Sequence, residues 1–235
     1  PEEVAVDLLE VVTDHNLHLP SMFTIRLQNP NVKWLERDTF REGKKVEIFA
    51  GAPSPVKLLS GKIAVLEGEL EQGAPTLLVR GYDLSHVLYR GRHRRSFTQV
   101  TDADLAQKLA MEAGLRPGTI DSTTEVHEYV FQNNQTNAEF LLERARRHGY
   151  ELCVEEDTLH FRKPTASGGP IRLTWGDDLL AFHPRLSTTE QVNEVEVRGW
   201  DPKQKREIVG RATRGQGEPQ TGVGGTGADI AKRAW

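Results

Sequence analysis

A five-residue pattern that occurs twice constrains the fold of this chain more than any other sequence feature. Val79-Arg80-Gly81-Tyr82-Asp83 recurs as Val197-Arg198-Gly199-Trp200-Asp201. Each copy runs from a β-branched residue through a glycine, where the backbone can bend, to an aromatic residue and a turn-forming aspartate. Two explanations are open. The pattern marks either two unrelated strand ends that use common turn residues, or two copies of one duplicated unit. We favour the duplication, which predicts two β-barrels of similar shape.

Residues 1–100 have the pattern of a first β-barrel. Apolar and polar residues alternate in Met22–Leu27, a period of two that indicates a strand with one buried face. Glycine and proline separate this run from those that follow. Several short strands at this spacing are typical of a small antiparallel barrel. The other predicted strands are Val46–Phe49, Gly61–Leu66 and Thr76–Gly81.

Residues 101–164 have the pattern of an insert with two helices and a hairpin. Thr101-Asp102-Ala103-Asp104 resembles a capping box and predicts a helix through Ala113, closed by Gly114. Thr136-Asn137-Ala138-Glu139 predicts a second helix to about His148, closed by Gly149. Two strand-like runs follow and predict a hairpin, Tyr150–Val154 and Leu159–Arg162.

Residues 165–210 are predicted to form the second barrel, completed by strands from the insert region. Its strand-like runs are Ile171–Trp175, Leu179–Phe182 and Val192–Gly199. Residues 211–235 contain six glycines and almost no apolar period, which predicts a flexible tail or linker. The predicted fold class is α+β and mainly β, with two related small antiparallel β-barrels and a helical and hairpin insert between them.

Composition excludes several classes of protein. Of the 235 residues, 37% are hydrophobic and 27% charged, which excludes a disordered chain and a membrane protein. The net charge of −4 argues against a surface built entirely for nucleic acid. A lone cysteine, Cys153, cannot form an internal disulfide, and we recognise no signal peptide, so a cytoplasmic protein is expected.

Several ordered segments resemble one protein family. The most specific runs from Val79 through Arg90-Gly91-Arg92, Phe97 and Thr101-Asp102 to Ala113-Gly114-Leu115. The others are Leu17–Leu27, Gly61–Leu70, Gln132-Asn133-Asn134, Glu139-Phe140-Leu141, His148-Gly149-Tyr150 and Leu159-His160-Phe161. Together they are similar to the N-terminal part of phage late control D and VgrG proteins, the baseplate hubs of contractile tails and injection systems.

This resemblance implies a structural role. A hub of this family forms a homotrimer whose six similar barrels make a pseudo-six-fold ring, which joins a hexameric inner tube to a trimeric spike. Further partners would be the tip and other baseplate proteins, and the glycine-rich residues 215–227 resemble the connection toward the spike. The resemblance implies no enzymatic activity and no cofactor. It places the protein in the bacterial cytoplasm during assembly and then in a phage tail or an injection particle, with no stable membrane insertion.

The densest cluster of charge consists of Arg90, Arg92, Arg94 and Arg95. It is predicted to be a solvated loop, a protein contact or a phosphate-binding loop. Given the resemblance, we expect these arginines to contact carboxylates of a neighbouring chain or the tube, with no nucleic acid bound. Alternative functions are a tail-associated cell-wall hydrolase and a nucleic-acid-binding module that uses the Arg90–Arg95 loop. We predict no catalytic residue and no metal site, because no catalytic motif occurs and the histidines show no ligand spacing.

Overall fold

The computed structural model of the chain describes residues 2–16, 19–70, 74–165, 171–183, 185, 187, 189, 191–213, 215 and 225–234. The chain divides into two compact units, residues 1–165 and 166–235. The architecture is α+β and mainly β, as predicted.

A five-stranded antiparallel sheet forms the first part of the first unit. Its strands are β1 (Leu8–Asp14), β2 (Met22–Gln28), β3 (Lys45–Ala50), β4 (Val56–Glu69) and β5 (Thr76–Asp83). They are hydrogen-bonded in the order β1-β2-β5-β4-β3, so that β1 and β3 lie at the edges and the sheet curls into a half-barrel. Helix α1 (Glu2–Asp7) precedes them, and a 3₁₀ turn (Pro30–Val32) and α2 (Lys33–Glu36) lie between β2 and β3.

The core of this sheet follows from the alternation predicted for β2. Phe23, Ile25 and Leu27 are buried, while the residues between them are partly exposed. Strand β5 contributes Leu77 and Val79 to the same core, and Trp34 of α2 covers it. All four strands predicted from the first hundred residues are confirmed, each with one or more residues added at its ends.

The rest of the first unit packs around two helices. A 3₁₀ helix (Leu84–Tyr89) leads into it. The elements that follow are β6 (His93–Val100), α3 (Asp102–Glu112), β7 (Arg116–Ile120), β8 (His127–Gln135), α4 (Asn137–His148), β9 (Glu151–Glu155) and β10 (Thr158–Arg162). Strand β6 pairs with β8 in an antiparallel ribbon, and a three-stranded sheet has the order β7-β10-β9. Buried leucines and aromatic residues of α3, α4 and β10 form their common core.

Both predicted helices begin and end where their capping signals indicated. The Thr101 hydroxyl accepts the backbone N–H of Asp104, and the Thr136 hydroxyl accepts that of Glu139. Helix α4 ends at Gly149, whose φ of 66° lies in the left-handed region that glycine tolerates. The predicted helices and the hairpin of β9 and β10 are therefore confirmed.

The second unit differs from its prediction in two segments. Its described residues contain the hairpin of β11 (Val195–Asp201) and β12 (Arg206–Ala212) and the helix α5 (Gly227–Ala234). Strands predicted at Ile171–Trp175 and Leu179–Phe182 are absent there. A tight turn replaces them, because Asp177 and Leu179 both donate their backbone N–H groups to the carbonyl of Thr174. The second barrel stays a prediction, since the described residues hold one hairpin of it.

Helix α5 corrects the prediction of a flexible tail over residues 211–235. The Thr226 hydroxyl accepts the backbone N–H of Asp229, and the Asp229 carboxylate accepts that of Thr226. This reciprocal pair is a capping box like those that begin α3 and α4, and it starts a helix despite the glycines before it. The predicted linker residues 216–224 lie outside the described residues.

Candidate functional site

The two copies of the sequence repeat have the same local structure. Asp83 is the last residue of β5, and Asp201 is the last residue of β11. The Asp83 carboxylate accepts the backbone N–H of Ser85 at 3.0 Å, and the Asp201 carboxylate accepts that of Lys203 at 2.9 Å. Each aspartate therefore turns the chain through a bond to the residue two positions later.

The surroundings of the two copies differ. A Cβ atom added at Gly81 would overlap the carbonyl oxygen of Lys62 and the ring of Phe23, so only glycine fits between β4 and the core. At Gly199 the nearest atom to such a Cβ is 4.0 Å away, on Ile208. The β5 copy is thus built into a packed core, whereas the β11 copy lies in open surroundings.

The arginine cluster is only partly a loop. Arg90 follows the 3₁₀ helix Leu84–Tyr89, but β6 begins at His93, so Arg94 and Arg95 belong to a strand. Arg95 points toward the inner side of the ribbon, because Phe97, two residues later on the same face, is buried. The prediction of a continuous Arg90–Arg95 loop is therefore wrong.

Two of the four arginines bind groups within the chain. Arg95 forms an ion pair with Glu112 at 2.6 Å and donates hydrogen bonds to the side chains of Gln132 and Asn137, at 2.9 and 3.1 Å. Arg92 forms an ion pair with Glu139 at 3.2 Å. These contacts tie β6 to β8 and to both helices, so Arg92 and Arg95 stabilise the fold.

The other two arginines face solvent. Arg90 and Arg94 are exposed and make no hydrogen bond or ion pair with any described residue. A guanidinium that has no partner in its own chain is available to a carboxylate of another chain. Of the predicted contact residues, these two meet that requirement.

The outer face of the β6–β8 ribbon carries an aromatic pair that sequence analysis missed. Tyr129 and Phe131 are 62% and 39% exposed, and their rings stack 6.4 Å apart at an angle of 14°. Cross-strand pairing places Phe131 opposite Ser96, two residues after Arg94. Exposed aromatic and arginine side chains together are typical of protein–protein contact surfaces. The alternation in β8 was the signal that would have revealed the pair.

The edge strand β1 is a second exposed apolar surface. Leu8, Leu9, Val11 and Val12 are each 40 to 50% exposed, although β1 pairs with β2 along one side. The other side of β1 has no strand partner among the described residues, so its backbone groups are open to pairing. At the opposite edge of the sheet, Phe49 of β3 is also exposed.

A buried carboxylate at the start of α3 lies within 3.4 Å of three basic side chains from α4 and β8. Asp102, at the start of α3, is 1% exposed, and its oxygens lie 2.8 Å from His148 Nε2, 3.2 Å from His127 Nε2 and 3.4 Å from Arg144 Nη1. The four side chains join α3, α4 and β8. Sequence analysis missed this cluster, because the histidines lie far from Asp102 along the chain. We assign it a structural role, since burial leaves the carboxylate closed to substrate.

The described residues offer neither a metal site nor a reactive cysteine. They contain no group of three or more histidine, cysteine, aspartate or glutamate side chains placed to hold a metal ion. Burial raises the pKa of Cys153, which keeps its thiol protonated and weakly nucleophilic. None of the described helices combines the length and apolar character needed to cross a membrane.

A family model matches most of the chain. The model of a family described as the Alg8 N-terminal domain matches residues 27–226. No curated protein matches the sequence significantly.

Solved structures of tail proteins share the fold. The 43 kDa tail protein of prophage MuSo2 from Shewanella oneidensis is 14% identical, with a TM-score of 0.59 over 78% of this chain and 59% of that one. A tail protein from Neisseria meningitidis is 17% identical, with a TM-score of 0.61 over 86% of this chain and 62% of that one.

A third structure comes from a secretion machine. It is an E. coli component of the type VI secretion system, described as similar to the T4 phage tail proteins gp27 and gp5. It is 14% identical, with a TM-score of 0.52 over 66% of this chain and 45% of that one. The chain thus spans less than two thirds of each of these proteins. At these identities the likeness establishes a shared fold, which is the fold of tail proteins.

Proposed function

The chain belongs to the family of the Alg8 N-terminal domain, and we propose that it is a structural component of a contractile tail or injection machine. The description of that family names a domain and no reaction. The observation that carries the proposal is the fold, which is shared with phage and type VI secretion tail proteins over 66 to 86% of the chain. The work of such a machine is mechanical, so the proposed role requires no catalysis and no cofactor.

Within such a machine we assign the chain to the baseplate hub, as in late control D and VgrG proteins. Three copies would form a ring, and two similar barrels in each copy would give it pseudo-six-fold symmetry. This arrangement matches a hexameric inner tube on one side and a trimeric spike on the other. The repeat supports the assignment, because both copies end a strand with the same aspartate turn. The barrels would occupy residues 1–100 and 165–210, with the insert between them and the linker at 211–235.

The ring contacts are proposed at two surfaces. Edge strands such as β1 would pair across subunits, since unpaired backbone and exposed apolar side chains favour strand addition. Arg94 would pair with carboxylates of the neighbouring subunit or the tube. Arg92 and Arg95 would act indirectly, by holding the ribbon that presents Arg94.

Charge reversal of one exposed arginine tests these contacts. We expect Arg94→Glu to weaken trimer formation about tenfold in sedimentation equilibrium, since like charges would face each other across the contact. Its unfolding midpoint should stay that of the wild type, because Arg94 has no described partner to lose. Arg146→Glu is the matched control, because Arg146 is an exposed arginine of α4 that also lacks a described partner.

The outcome distinguishes the proposed function from its alternatives. Equal association of Arg94→Glu and the wild type would remove Arg94 from the contact. Peptidoglycan cleavage by the wild-type chain would favour a cell-wall hydrolase. Binding of DNA that falls steeply with salt and is lost in Arg94→Glu would favour a nucleic-acid-binding module.

A further inference from the structure

A groove in the first unit lies apart from the proposed ring contacts. It encloses about 520 Å³, within the range of ligand-binding pockets. Its floor is formed by β4 and β5, and the 3₁₀ helix Leu84–Tyr89 forms one wall. The loop at Glu42 and Gly43 forms the other wall, fixed to β4 by a hydrogen bond of 2.7 Å from the Gly43 N–H to the Ile63 carbonyl.

Two cations and a stacked pair of rings lie side by side along this groove. Lys62 of β4 is directly opposite Tyr82 of β5 in the sheet register. The rings of Tyr82 and His86 stack with their centroids 5.1 Å apart and their planes at 13°. Arg90 lies close enough to His86 for its charge to lower the pKa of the imidazole. The order across the groove is therefore a lysine, two stacked rings and an arginine.

Both cations are available to a ligand. Lys62 and Arg90 are exposed and make no hydrogen bond or ion pair with another residue in the described ranges. Burial and the charge of Arg90 lower the pKa of His86, so its ring is neutral at pH 7 and adds an apolar face. A ligand that carries negative charge beside an apolar group fits this arrangement.

Two carboxylates at the groove restrict which anion fits. Asp83 is already engaged, because its oxygens accept the backbone N–H groups of Ser21 at 2.9 Å and Ser85 at 3.0 Å. Glu42 is exposed and has no such partner among the described residues. It would repel a doubly charged phosphate, whereas it can accept the N–H of a peptide.

We propose that this groove binds an acidic peptide segment of a partner protein. The peptide's carboxylate pairs with Lys62 or Arg90, an apolar neighbour packs on the rings of Tyr82 and His86, and Glu42 accepts a peptide N–H. The two cations without described partners and the stacked rings favour this ligand over a purely apolar peptide, and Glu42 disfavours a free phosphate. The inference goes beyond the proposed function and does not depend on it, because each subunit carries a whole groove.

Peptide titrations of the intact chain test the inference by NMR at low salt. The probes are two blocked heptapeptides, Ala-Ala-Leu-Glu-Leu-Ala-Ala and the same sequence with Gln in place of Glu. We expect the Glu peptide to bind about fivefold more tightly, the gain of one partly exposed charge pair. Shifts should centre on the amides of Lys62, Tyr82 and His86, and the preference should shrink in high salt.

Variants of the chain identify the side chains that cause the preference for the Glu peptide. Lys62→Met and Arg90→Met should each reduce the preference for the Glu peptide, and both side chains are exposed, so the variants are expected to fold. Arg146→Met is the matched control and should keep the full preference. Equal binding of the two peptides, no binding, or shifts confined to other surfaces would overturn the proposal. Inorganic phosphate that displaces the Glu peptide at lower concentration would also overturn it, in favour of a phosphate site.

Discussion

Gly81 and Gly199 occupy the same place in the two repeat copies but differ in the space around their α-carbons. We predict that Gly81→Ala lowers the free energy of unfolding by about 2–3 kcal/mol, because the new methyl group must displace the backbone of β4 or the ring of Phe23. Gly199→Ala should change it by less than about 1 kcal/mol, since its methyl group meets open space. Urea unfolding followed by circular dichroism measures both. Equal losses would contradict the account of the two environments.

The stability that a carboxylate contributes also depends on its surroundings, as Asp102 illustrates. We predict that Asp102→Asn destabilises the protein by about 3 kcal/mol, because the buried guanidinium of Arg144 and the ring of His148 lose their anionic partner. The matched control is Asp14→Asn, at an exposed aspartate of β1 in the same unit, which should stay within about 0.5 kcal/mol of the wild type. Thermal unfolding of the pair separates the outcomes, and a tolerated Asp102→Asn would show that the cluster contributes little.

At the scale of helices, the capping boxes of α3 and α4 contribute to stability, and each contains a carboxylate that titrates. Hydrogen bonds from the backbone N–H groups of Thr101 and Thr136 hold the pKa values of Asp104 and Glu139 below their ordinary values of 3.8 and 4.5. A carboxylate whose pKa is lowered by folding stabilises the folded state above its ordinary pKa, and this contribution disappears as the pH falls through the lowered value. The stabilisation by both carboxylates is therefore expected to decrease as the pH falls below about 5 and to disappear as it falls through the two lowered pKa values.

Replacing one capping carboxylate tests this pH dependence. Glu139→Gln keeps an oxygen that can accept the Thr136 N–H but removes the titrating group. We predict that its stability changes less with pH below about pH 5 than that of the wild type, as measured by urea midpoints across the range. Glu36→Gln, at an exposed glutamate without a described partner, should leave the wild-type slope unchanged. Identical slopes for all three proteins would exclude a role for the cap.

Elements set by near neighbours were predictable from the sequence. The boxes at Thr101 and Thr136 and the closing Gly149 are each complete within a few residues, so α3 and α4 were predicted to within a residue or two. The strands predicted within residues 171–182 do not form, because a strand needs a partner and the local turn at Asp177 competes with it. Helix α5 was missed although its capping box at Thr226 is as local as the other two. The six glycines in residues 211–235 are the stronger signal in the sequence and predict a flexible tail.

Contacts between side chains that are far apart in the sequence could not be predicted. Arg95 was expected to contact another chain, yet its partners Glu112, Gln132 and Asn137 come from α3, β8 and α4. The Tyr129–Phe131 pair faces solvent beside Arg94 only because of the register between β6 and β8. Residue type therefore indicated the surface of interest, and tertiary structure decided which side chains remain available on it.

At the scale of the whole molecule, the proposed function requires assembly. The chain shares its fold with tail proteins. Its first unit exposes the apolar strand β1, whose outer side has no strand partner among the described residues, and two arginines without described partners. Exposed apolar strands are costly for a protein that stays monomeric. A ring of three copies would cover them.

The native mass of the purified chain, measured by light scattering across a concentration series, tests the proposed hub most directly. The account predicts a mass that rises with concentration toward three times 26.4 kDa and then remains constant. A mass of 26.4 kDa at every concentration, or one that levels off at a dimer, would contradict the three-fold ring.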